Sequence, residues 1–372
     1  MAYSSLTNIW PILVMYAIWL PRAIYKRRLI LRPSRDLALA AALAALAVLS
    51  TLWSDYPMAT LRASFEYASM LACAVIMARV TTVESFVKGL ALGATLVLLA
   101  LFGDGGFSFA GLFGSKNQVG FFAEIGAFAA LLYMFTGARL RSKIAFACIS
   151  AALCMPCLVL SRSATSLASL ALTFAAVAAL AFTLKFHRRI RPVIAIAALA
   201  LCAAALFALF YARLDLLLFR AMGKNASLTG RTELWREGIR TALQKPFLGH
   251  GYHAFWIVGN PQADLYWYKA HETIGAGFHF HNMFIQAFVD LGLGGALLIA
   301  LLIATTFYAS LRYALKNGMT PTGAACFGFV FMFLLRSFVE VDYLGPFGIG
   351  LFIVYSILPR LADEDRRVAA RP

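Results

Sequence analysis

Long apolar runs recur along almost the whole of this 372-residue chain and constrain its fold more than any other feature. Hydrophobic residues make up 62% of the sequence and charged residues 13%, which is more apolar and less charged than soluble domains are. A run of about 17–25 apolar residues can cross the ~30 Å hydrocarbon core of a bilayer as a helix. Because lipid offers no partner to backbone N–H and C=O groups, the spans should be helical. The sequence therefore predicts an all-α fold, a polytopic transmembrane helical bundle.

The apolar runs and the basic residues between them predict eleven spans and their orientation. The spans are residues 9–20, 37–52, 61–77, 86–102, 120–135, 144–160, 167–184, 193–210, 283–309, 323–338 and 347–358. Basic residues follow every odd-numbered span, and the rule that positive loops stay in the cytoplasm places all of them on one side. The loop over 211–280, between the eighth and ninth spans, then lies outside.

This outer loop carries most of the polar chemistry of the chain. The stretch 229–292 contains five of the six histidines: His250, His253, His271, His279 and His281. We therefore predict an N-terminal transmembrane bundle over 1–210, a catalytic loop outside the cytoplasm over 211–281, and C-terminal transmembrane helices with a cytoplasmic tail over 282–372.

The net charge of +16 does not indicate nucleic-acid binding, because no soluble domain carries basic residues interleaved with aromatic ones. Several cations instead fall on the outer side of the predicted topology: Arg62, Lys116, Arg162, Arg213, Arg220, Lys224, Arg231, Arg236, Arg240, Lys245 and Lys269. Arginine binds phosphate oxygens in a bidentate manner and keeps its charge, so such a group would suit a lipid-linked pyrophosphate. Solvation, or contact with anionic lipid headgroups, is the alternative for each residue. A functional role is preferred for Arg162 and Arg231.

Two short outer turns place polar groups at the predicted membrane rim. Arg162 lies in a turn of a few residues between the sixth and seventh spans, where an ionisable group is costly and therefore a functional candidate. Lys116 and Asn117 lie in a glycine-flanked loop between the fourth and fifth spans and are candidates for phosphate or sugar contact. Capping of the next helix by Ser115 or Asn117 is the alternative.

Arg231 opens a predicted short amphipathic helix over 230–243, with Thr229 as its N-cap. Its apolar face would lie flat on the membrane rim, while Arg236 and Arg240 lie one turn apart on another face. Pro246 ends the helix. The glycines that follow it, Gly249 and Gly251, give a turn that allows close backbone approach.

His281 precedes Asn282, a predicted N-cap of the ninth span. A helix N-terminus attracts anions, and a neutral imidazole there could take a proton from a sugar hydroxyl. A plain interfacial polar residue is the alternative. His279 and His281 could also hold a metal ion, but no acidic third ligand is evident nearby, so no metal site is predicted. His253, Arg236, Arg240 and Asn282 complete the candidate substrate-binding set, with Lys116 and Asn117.

Several stretches together resemble the O-antigen ligase and O-antigen polymerase superfamily. They are Trp53-Ser54-Asp55-Tyr56-Pro57, Gly114-Ser115-Lys116-Asn117 with Gly120, Ser161-Arg162-Ser163, Gly230-Arg231 with Trp235, Pro246 with Gly249 and Gly251, and His281-Asn282 with Gly292 and Gly295. No stretch is specific alone, but their order and spacing on a multi-span scaffold follow the family pattern across most of the chain.

The resemblance implies a GT-C-type glycosyltransferase with about twelve spans, against the eleven predicted here. It implies a bacterial inner-membrane enzyme whose active site faces the periplasm and needs neither metal nor another cofactor. The donor would be a glycan on undecaprenyl pyrophosphate, and the acceptor another glycan or lipid A-core. A flippase and a chain-length regulator are further expected partners. The essential loop arginine and histidine of such ligases correspond to Arg231 and His281, and the arginine between spans corresponds to Arg162.

These residues together predict an inverting polymerase of lipid-linked repeat units, since the Gly114–Asn117 stretch looks most like the exopolysaccharide polymerases. An O-antigen ligase, which would transfer the glycan to lipid A-core, is the closest alternative. A transporter or flippase would instead need discontinuous helices and ionisable groups at the bilayer midplane. A non-catalytic scaffold of an export complex is a third alternative.

Overall fold

The computed structural model describes residues 9–26, 37–103, 116–137, 141–187, 189–190, 193–194, 197, 228–269, 273–275 and 277–369. Its α-helices are α1 Ile9–Tyr25, α2 Ala38–Leu49, α3 Pro57–Val80, α4 Val83–Gly103, α5 Lys116–Met134, α6 Arg141–Leu160, α7 Ala164–Thr183, α8 Leu228–Ala242, α9 Pro261–Lys269, α10 Met283–Asn317, α11 Pro321–Arg336 and α12 Ile349–Ala369, with a 3-10 turn over Ser50–Leu52. Within those ranges the chain forms no strand. The prediction of an all-helical fold is confirmed.

Five helices in the described ranges are long and apolar enough to cross a membrane: Pro57–Val80, Val83–Ala100, Arg141–Leu160, Ala164–Thr183 and Met283–Asn317. Shorter apolar helices cover Ile12–Tyr25, Ala38–Leu52 and Pro321–Arg336. Ten of the predicted spans fall on helices, whereas the span predicted over 193–210 lies outside the described residues apart from positions 193, 194 and 197. Outward apolar side chains such as Leu96 on α4 and Ile149 on α6 suit contact with lipid.

The chain forms two compact units. The first contains Met1–Thr82, Glu233–Ala309 and Phe333–Pro372, and the second contains Val83–Thr232 and Ser310–Met332. In the first unit, buried tyrosines join α3, the loop after α8 and α12. The ring of Tyr67 packs edge-on against Tyr252 at 5.3 Å, and its hydroxyl hydrogen-bonds to that of Tyr355. The hydroxyl of Tyr252 donates to the carbonyl of Leu344, so each of these buried hydroxyls has a partner.

Helix α10 is interrupted at Gly292, whose φ of 66° and ψ of −165° are accessible essentially to glycine alone. The interruption frees the carbonyls of Val289 and Asp290 from their helical partners. They accept instead from the backbone N–H groups of His250 at 2.9 Å and Gly251 at 3.0 Å. In return, the N–H of Leu293 donates to the carbonyl of Pro246 at 2.8 Å. The loop 246–251 thus replaces hydrogen bonds that an unbroken helix would make with itself.

The turn over 53–57 docks on this same loop. The indole N–H of Trp53 donates to the carbonyl of Leu248 at 2.8 Å, and the backbone N–H of Asp55 donates to the carbonyl of His250 at 3.0 Å. Gly251 has a φ of 103°, and a Cβ there would collide with the side chain of Ser54. Three of the stretches that suggested the family resemblance therefore meet in the first unit.

The short helix predicted over 230–243 is present as α8, which begins at Leu228. Thr229 lies inside this helix, so the prediction that it is the N-cap is wrong. Gly238 packs against Phe280 and Ile285, where a Cβ would lie 2.7 Å from Ile285. Ile239 and Leu243 stay exposed, as expected of a face that would lie against a membrane.

The loop outside the predicted spans has a small core of its own. It is built from Ala242, Phe255, Ala263, Tyr266, Trp267, Phe280 and Val289. The ring of Phe255 lies 5.1 Å from that of Phe280, and Trp256 packs 5.0 Å from Phe280. Because Phe280 directly precedes His281 in sequence, this core fixes the chain at the start of α10.

In the second unit, close helix contacts depend on small residues. A Cβ on Gly126 of α5 would lie 2.6 Å from Cys154 Sγ of α6 and 2.7 Å from the Cβ of Ala94 of α4. The ring of Phe128 packs edge-on against Phe329 of α11 at 5.0 Å. Small residues that let helix backbones approach closely are typical of packing within membranes.

Candidate active site

His281 is held at the start of α10 by a well-formed helix cap. The side-chain oxygen of Asn282 accepts the backbone N–H of Phe284 at 3.0 Å and of Ile285 at 3.1 Å, so the predicted N-cap is confirmed. The amide nitrogen of Asn282 donates to the carbonyl of Phe338 at 3.1 Å, which ties the cap to the turn after α11. A role for Asn282 in substrate binding stays a prediction.

The imidazole of His281 is oriented by Glu340. Its Nδ1 lies 3.2 Å from Glu340 Oε2, and the side chain of Glu340 is 7% exposed while that of His281 is 21% exposed. An ionised carboxylate can only accept hydrogen bonds, so Nδ1 of a neutral His281 carries the proton and Nε2 keeps its lone pair. A ring in this tautomer, with its other nitrogen unprotonated, has the form of a general base.

Glu340, which contacts His281, was not among the candidate residues chosen from the sequence. It lies 59 positions after His281 in sequence, in the turn between α11 and α12. Its backbone N–H donates to the carbonyl of Arg336 at 2.7 Å. A signal was available, because the short segment after α11 contains two of the chain's 17 acidic residues, Glu340 and Asp342.

Positive charge around Glu340 keeps its carboxylate ionised. Burial alone would raise its pKa, but the hydrogen bond from His281 and the charges of His281, His279 and Arg336 hold the pKa below its ordinary value. Arg336 also binds Asp342 through two hydrogen bonds, Nε to Oδ2 at 2.6 Å and Nη2 to Oδ1 at 3.1 Å. Burial raises the pKa of Asp342 despite this contact.

His279, His281 and Glu340 form the group of possible metal ligands in the described part of the chain, with their ligand atoms all within 4.8 Å of one another. No acidic third ligand was expected from the sequence, and the position of Glu340 corrects that expectation. The backbone N–H of His281 donates to Nδ1 of His279 at 3.0 Å, which places the proton of a neutral His279 on Nε2. That nitrogen faces Glu340 at 3.7 Å as a donor, whereas a metal would need its lone pair. A neutral His279 could ligate a metal through Nε2 only if Nδ1 gave up the hydrogen bond that it accepts from the backbone of His281.

A buried amide supports the backbone before His281. Gln286 Oε1 accepts the indole N–H of Trp256 at 3.2 Å and the backbone N–H of Phe280 at 3.3 Å. Its Nε2 donates to Asp290 at 3.0 Å, and the buried carboxylate of Asp290 also accepts the backbone N–H of His253. The side chain of His253 is itself exposed. His253 therefore contributes a structural contact through its backbone, and its role in substrate binding stays a prediction.

His250 makes structural contacts within the first unit. Its Nδ1 lies 2.7 Å from Asp55 Oδ2, and its Nε2 lies 3.0 Å from the carbonyl of Thr241. Lys245 also contacts Asp55. Burial acts to raise the pKa of Asp55, but the hydrogen bonds from Lys245 and His250 lower it overall.

In the second unit, Arg162 occupies a turn that is packed against the start of α5. The hydroxyl of Ser163 donates to Asn117 Oδ1 at 3.3 Å and accepts the backbone N–H of Ser166 at 3.4 Å, which caps α7. A Cβ on Gly120 would lie 2.6 Å from the Cβ of Ser163. The sequence pattern over 116–120 therefore shapes the turn that presents the exposed side chain of Arg162, while Lys116 is exposed beside it.

The remaining candidate arginines lie on α8. Arg231 is partly buried, Arg236 is exposed, and Arg240 donates to Glu237 at 2.7 Å with its side chain 65% exposed. Arg162 and Arg231 belong to the second unit, and His281 belongs to the first. That the three residues converge on one substrate stays a prediction.

Comparison with known proteins identifies the family to which the chain is related. The family described as O-antigen ligase matches residues 149–300, a range that includes Arg162, Arg231 and His281. The exopolysaccharide production protein ExoQ of Rhizobium meliloti (strain 1021) is 35% identical over 99% of this chain and 87% of its own length. The chain belongs to the O-antigen ligase and polymerase superfamily.

Members of this superfamily are membrane enzymes of surface polysaccharide assembly, and this protein is a multi-pass membrane enzyme of O-antigen- or exopolysaccharide-related assembly. Its family indicates a glycosyltransferase-like ligase or polymerase activity. The predicted resemblance is thereby confirmed, and the lipid-linked glycan is the kind of substrate that the family implies.

Backbone strain in this superfamily member coincides with its candidate residues. Among the described non-glycine residues, a positive φ occurs at Arg162 (50°), His253 (58°), His281 (50°) and Phe347 (52°). Such a conformation costs on the order of 1–3 kcal/mol and is often retained where function requires it. Three of these four positions, Arg162, His253 and His281, are candidate residues predicted from the sequence.

Proposed function

We propose that the protein polymerises oligosaccharide repeat units linked to undecaprenyl pyrophosphate, at the periplasmic face of the bacterial inner membrane. The observation that carries the proposal is the orientation of His281 by Glu340, at 3.2 Å, in a chain related over its full length to a protein named for exopolysaccharide production. The long apolar helices provide the membrane scaffold that a lipid-linked substrate requires.

In the proposed reaction, Nε2 of His281 takes the proton of an acceptor sugar hydroxyl. The acceptor oxygen bonds to the anomeric carbon of the donor as the bond from that carbon to the pyrophosphate oxygen breaks, with inversion of configuration. Glu340 stabilises the imidazolium that forms, as a buried carboxylate does for the histidine of a catalytic triad. The proton then leaves to solvent through the exposed part of the ring.

The departing lipid pyrophosphate would be neutralised by Arg162 and Arg231, assisted by Lys116. Cationic groups that are held in place before reaction stabilise developing charge without reorganisation. The strained backbone at Arg162 and the packing of Gly120 against Ser163 support such a fixed position. Arg236, Arg240, His253, Asn117 and Asn282 are proposed to bind the substrate around these groups. No metal or other cofactor takes part in the proposed reaction.

Ligation to lipid A-core is the second candidate, because the family that matches residues 149–300 is described as O-antigen ligase. The two reactions share donor and chemistry and differ in the acceptor. The similarity to an exopolysaccharide production protein along 99% of the chain favours the polymerase.

Reconstituted protein supplied with undecaprenyl-pyrophosphate-linked repeat units alone distinguishes these functions. A ladder of longer lipid-linked glycans is the result expected for a polymerase. Product that forms only after lipid A-core is added would establish the ligase instead. Substrate movement across the vesicle membrane with no new glycosidic bond would replace both with a transporter.

A further inference from the structure

We infer that Glu340 is a positioning residue: it sets the tautomer of His281 and provides the negative charge that lets its ring accept a proton. The inference rests on the proposed function, because it assigns a role to Glu340 in the same reaction. It is carried by the hydrogen bonds and ion pairs around Glu340.

The first step concerns the protons on the two imidazoles. Both rings direct a nitrogen at the same oxygen of Glu340, Nδ1 of His281 at 3.2 Å and Nε2 of His279 at 3.7 Å. The backbone N–H of His281 occupies Nδ1 of His279 at 3.0 Å. The proton of a neutral His279 therefore lies on Nε2, on the side of Glu340 but beyond hydrogen-bond distance, and its unprotonated nitrogen is already used. Of the two rings, His281 is therefore the one whose Nε2 carries a lone pair that can accept a proton.

The second step concerns the balance of charge. Among the described residues around His281 are the carboxyl groups of Glu340 and Asp342 and the guanidinium of Arg336, which binds Asp342 through two hydrogen bonds. The carboxylate of Glu340 provides a negative charge next to the ring of His281. A proton on His281 cancels that charge within hydrogen-bonding distance of Glu340. The Glu340 carboxylate therefore favours the protonated ring that follows proton abstraction.

The third step concerns rigidity. The backbone N–H of Glu340 donates to the last residue of α11, Arg336, at 2.7 Å, and the carboxylate of Asp342 holds the side chain of that residue. Gly350 of α12 also packs against this turn, since a Cβ there would lie 2.5 Å from the carbonyl oxygen of Asp342. The carboxylate is thus fixed in place before substrate binds, as orientation of a catalytic base requires.

A purely structural role for Glu340 makes different predictions, and a double-mutant cycle separates the two. Glu340→Gln keeps the shape of the side chain but removes its charge. We expect kcat for glycan transfer to fall about 10- to 100-fold with KM nearly unchanged. In a His281→Ala background the same substitution should have no further effect, because Glu340 acts through that ring. The matched control is Glu66→Gln, which removes a carboxylate paired with the exposed Arg62 of its own helix and should keep the wild-type rate.

The pH profile provides a second readout. Within the described part of the chain, the titratable and charged groups around His281 include Glu340, His279, Arg336 and Asp342. Loss of the Glu340 anion makes protonation of the base less favourable, so the acidic limb of kcat/KM should move to lower pH in Glu340→Gln. Glu340→Asp, which keeps a carboxylate, should bring the limb back toward its wild-type position.

A third measurement needs no variant. Nitrogen NMR of ¹⁵N-histidine-labelled protein should show His281 protonated at Nδ1 and unprotonated at Nε2, and the opposite tautomer would overturn the inference whatever the folding of the variants. An equal fall in rate on adding Glu340→Gln to wild type and to His281→Ala would also overturn it. So would a wild-type rate in Glu340→Gln. If the wild-type protein itself forms no glycosidic bond, the proposed function fails and this inference fails with it. If the wild-type protein is active and Glu340→Gln keeps its rate, only this inference fails.

Discussion

Gly249 and Gly292 meet backbone to backbone: a Cβ added to Gly249 would lie 2.6 Å from the backbone nitrogen of Gly292. The two glycines belong to stretches 43 residues apart in sequence, and both have positive φ, 70° and 66°. Their contact lets the loop 246–251 take up the hydrogen bonds that α10 gives up at its interruption. The position of His281, at the start of that helix, depends on this junction.

Gly292→Ala is therefore expected to destabilise the protein. The backbone conformation at Gly292 costs an alanine on the order of 1–3 kcal/mol, and the added methyl group collides with the backbone of Phe247, so a total above about 2 kcal/mol is expected. Thermal unfolding in detergent measures the loss. Gly294→Ala is the control, because a Cβ at Gly294 meets nothing within 4 Å, and its melting temperature should equal or exceed that of the wild type. Equal melting temperatures for the two variants would refute the account of the junction.

Arg162→Ala and Arg231→Ala should each lower the rate of transfer by on the order of 10²-fold, because each removes a cation that neutralises the leaving pyrophosphate. Initial rates with a lipid-pyrophosphate-linked donor test this. Arg62→Ala is the control: Arg62 is a cation on the same predicted side of the membrane, 83% exposed and paired with Glu66 at 2.9 Å. A similar loss in all three variants would mean that general positive charge, and no specific contact, supports the reaction.

The contacts of Asp55 predict a stability that depends on pH. Hydrogen bonds from Lys245 and His250 lower the pKa of Asp55 against the effect of burial. The folded state then gains stability above the ordinary pKa of about 3.9 and loses it as pH falls below that value. Between pH 5 and pH 3, the melting temperature of the wild type should therefore fall more than that of Asp55→Asn. Parallel falls in the two proteins would show that this carboxylate contributes nothing to the pH dependence.

Removal of metal ions is expected to leave the reaction unchanged. The hydrogen bond from the backbone of His281 to His279 directs a proton, and no lone pair, toward Glu340. Transfer rates before and after dialysis against EDTA provide the measurement. Loss of activity that a divalent cation restores, together with loss of that cation's binding in His279→Ala, would establish a metal centre at this cluster and contradict the proton-transfer reading.

Much of the fold followed from local sequence properties. Apolar runs predicted the helices because span length and composition are set by the thickness of the bilayer. The cap at Asn282 was predictable because it depends on residues within three positions of it. The interruption at Gly292 was not, since residues 283–309 read as one continuous apolar span. What breaks the helix is a partner loop some 40 residues earlier, which supplies the replacement hydrogen bonds.

The candidate site divides in the same way. His281, Arg162 and Arg231 could be chosen from residue type and predicted topology. Glu340 could not be paired with His281, because only the packing of the turn after α11 against the start of α10 brings them together. The contact of Asn117 was not predictable for the same reason. The sequence suggested a sugar contact or a helix cap for this residue. In the structure its amide oxygen accepts from Ser163, next to Arg162.

The most direct test of the account is the rate at which purified His281→Ala transfers glycan from an undecaprenyl-pyrophosphate-linked donor. Removal of a general base should lower kcat by about 10²- to 10⁴-fold while the protein still binds donor and melts at the wild-type temperature. A His281→Ala enzyme that elongates glycans at the wild-type rate would contradict the account.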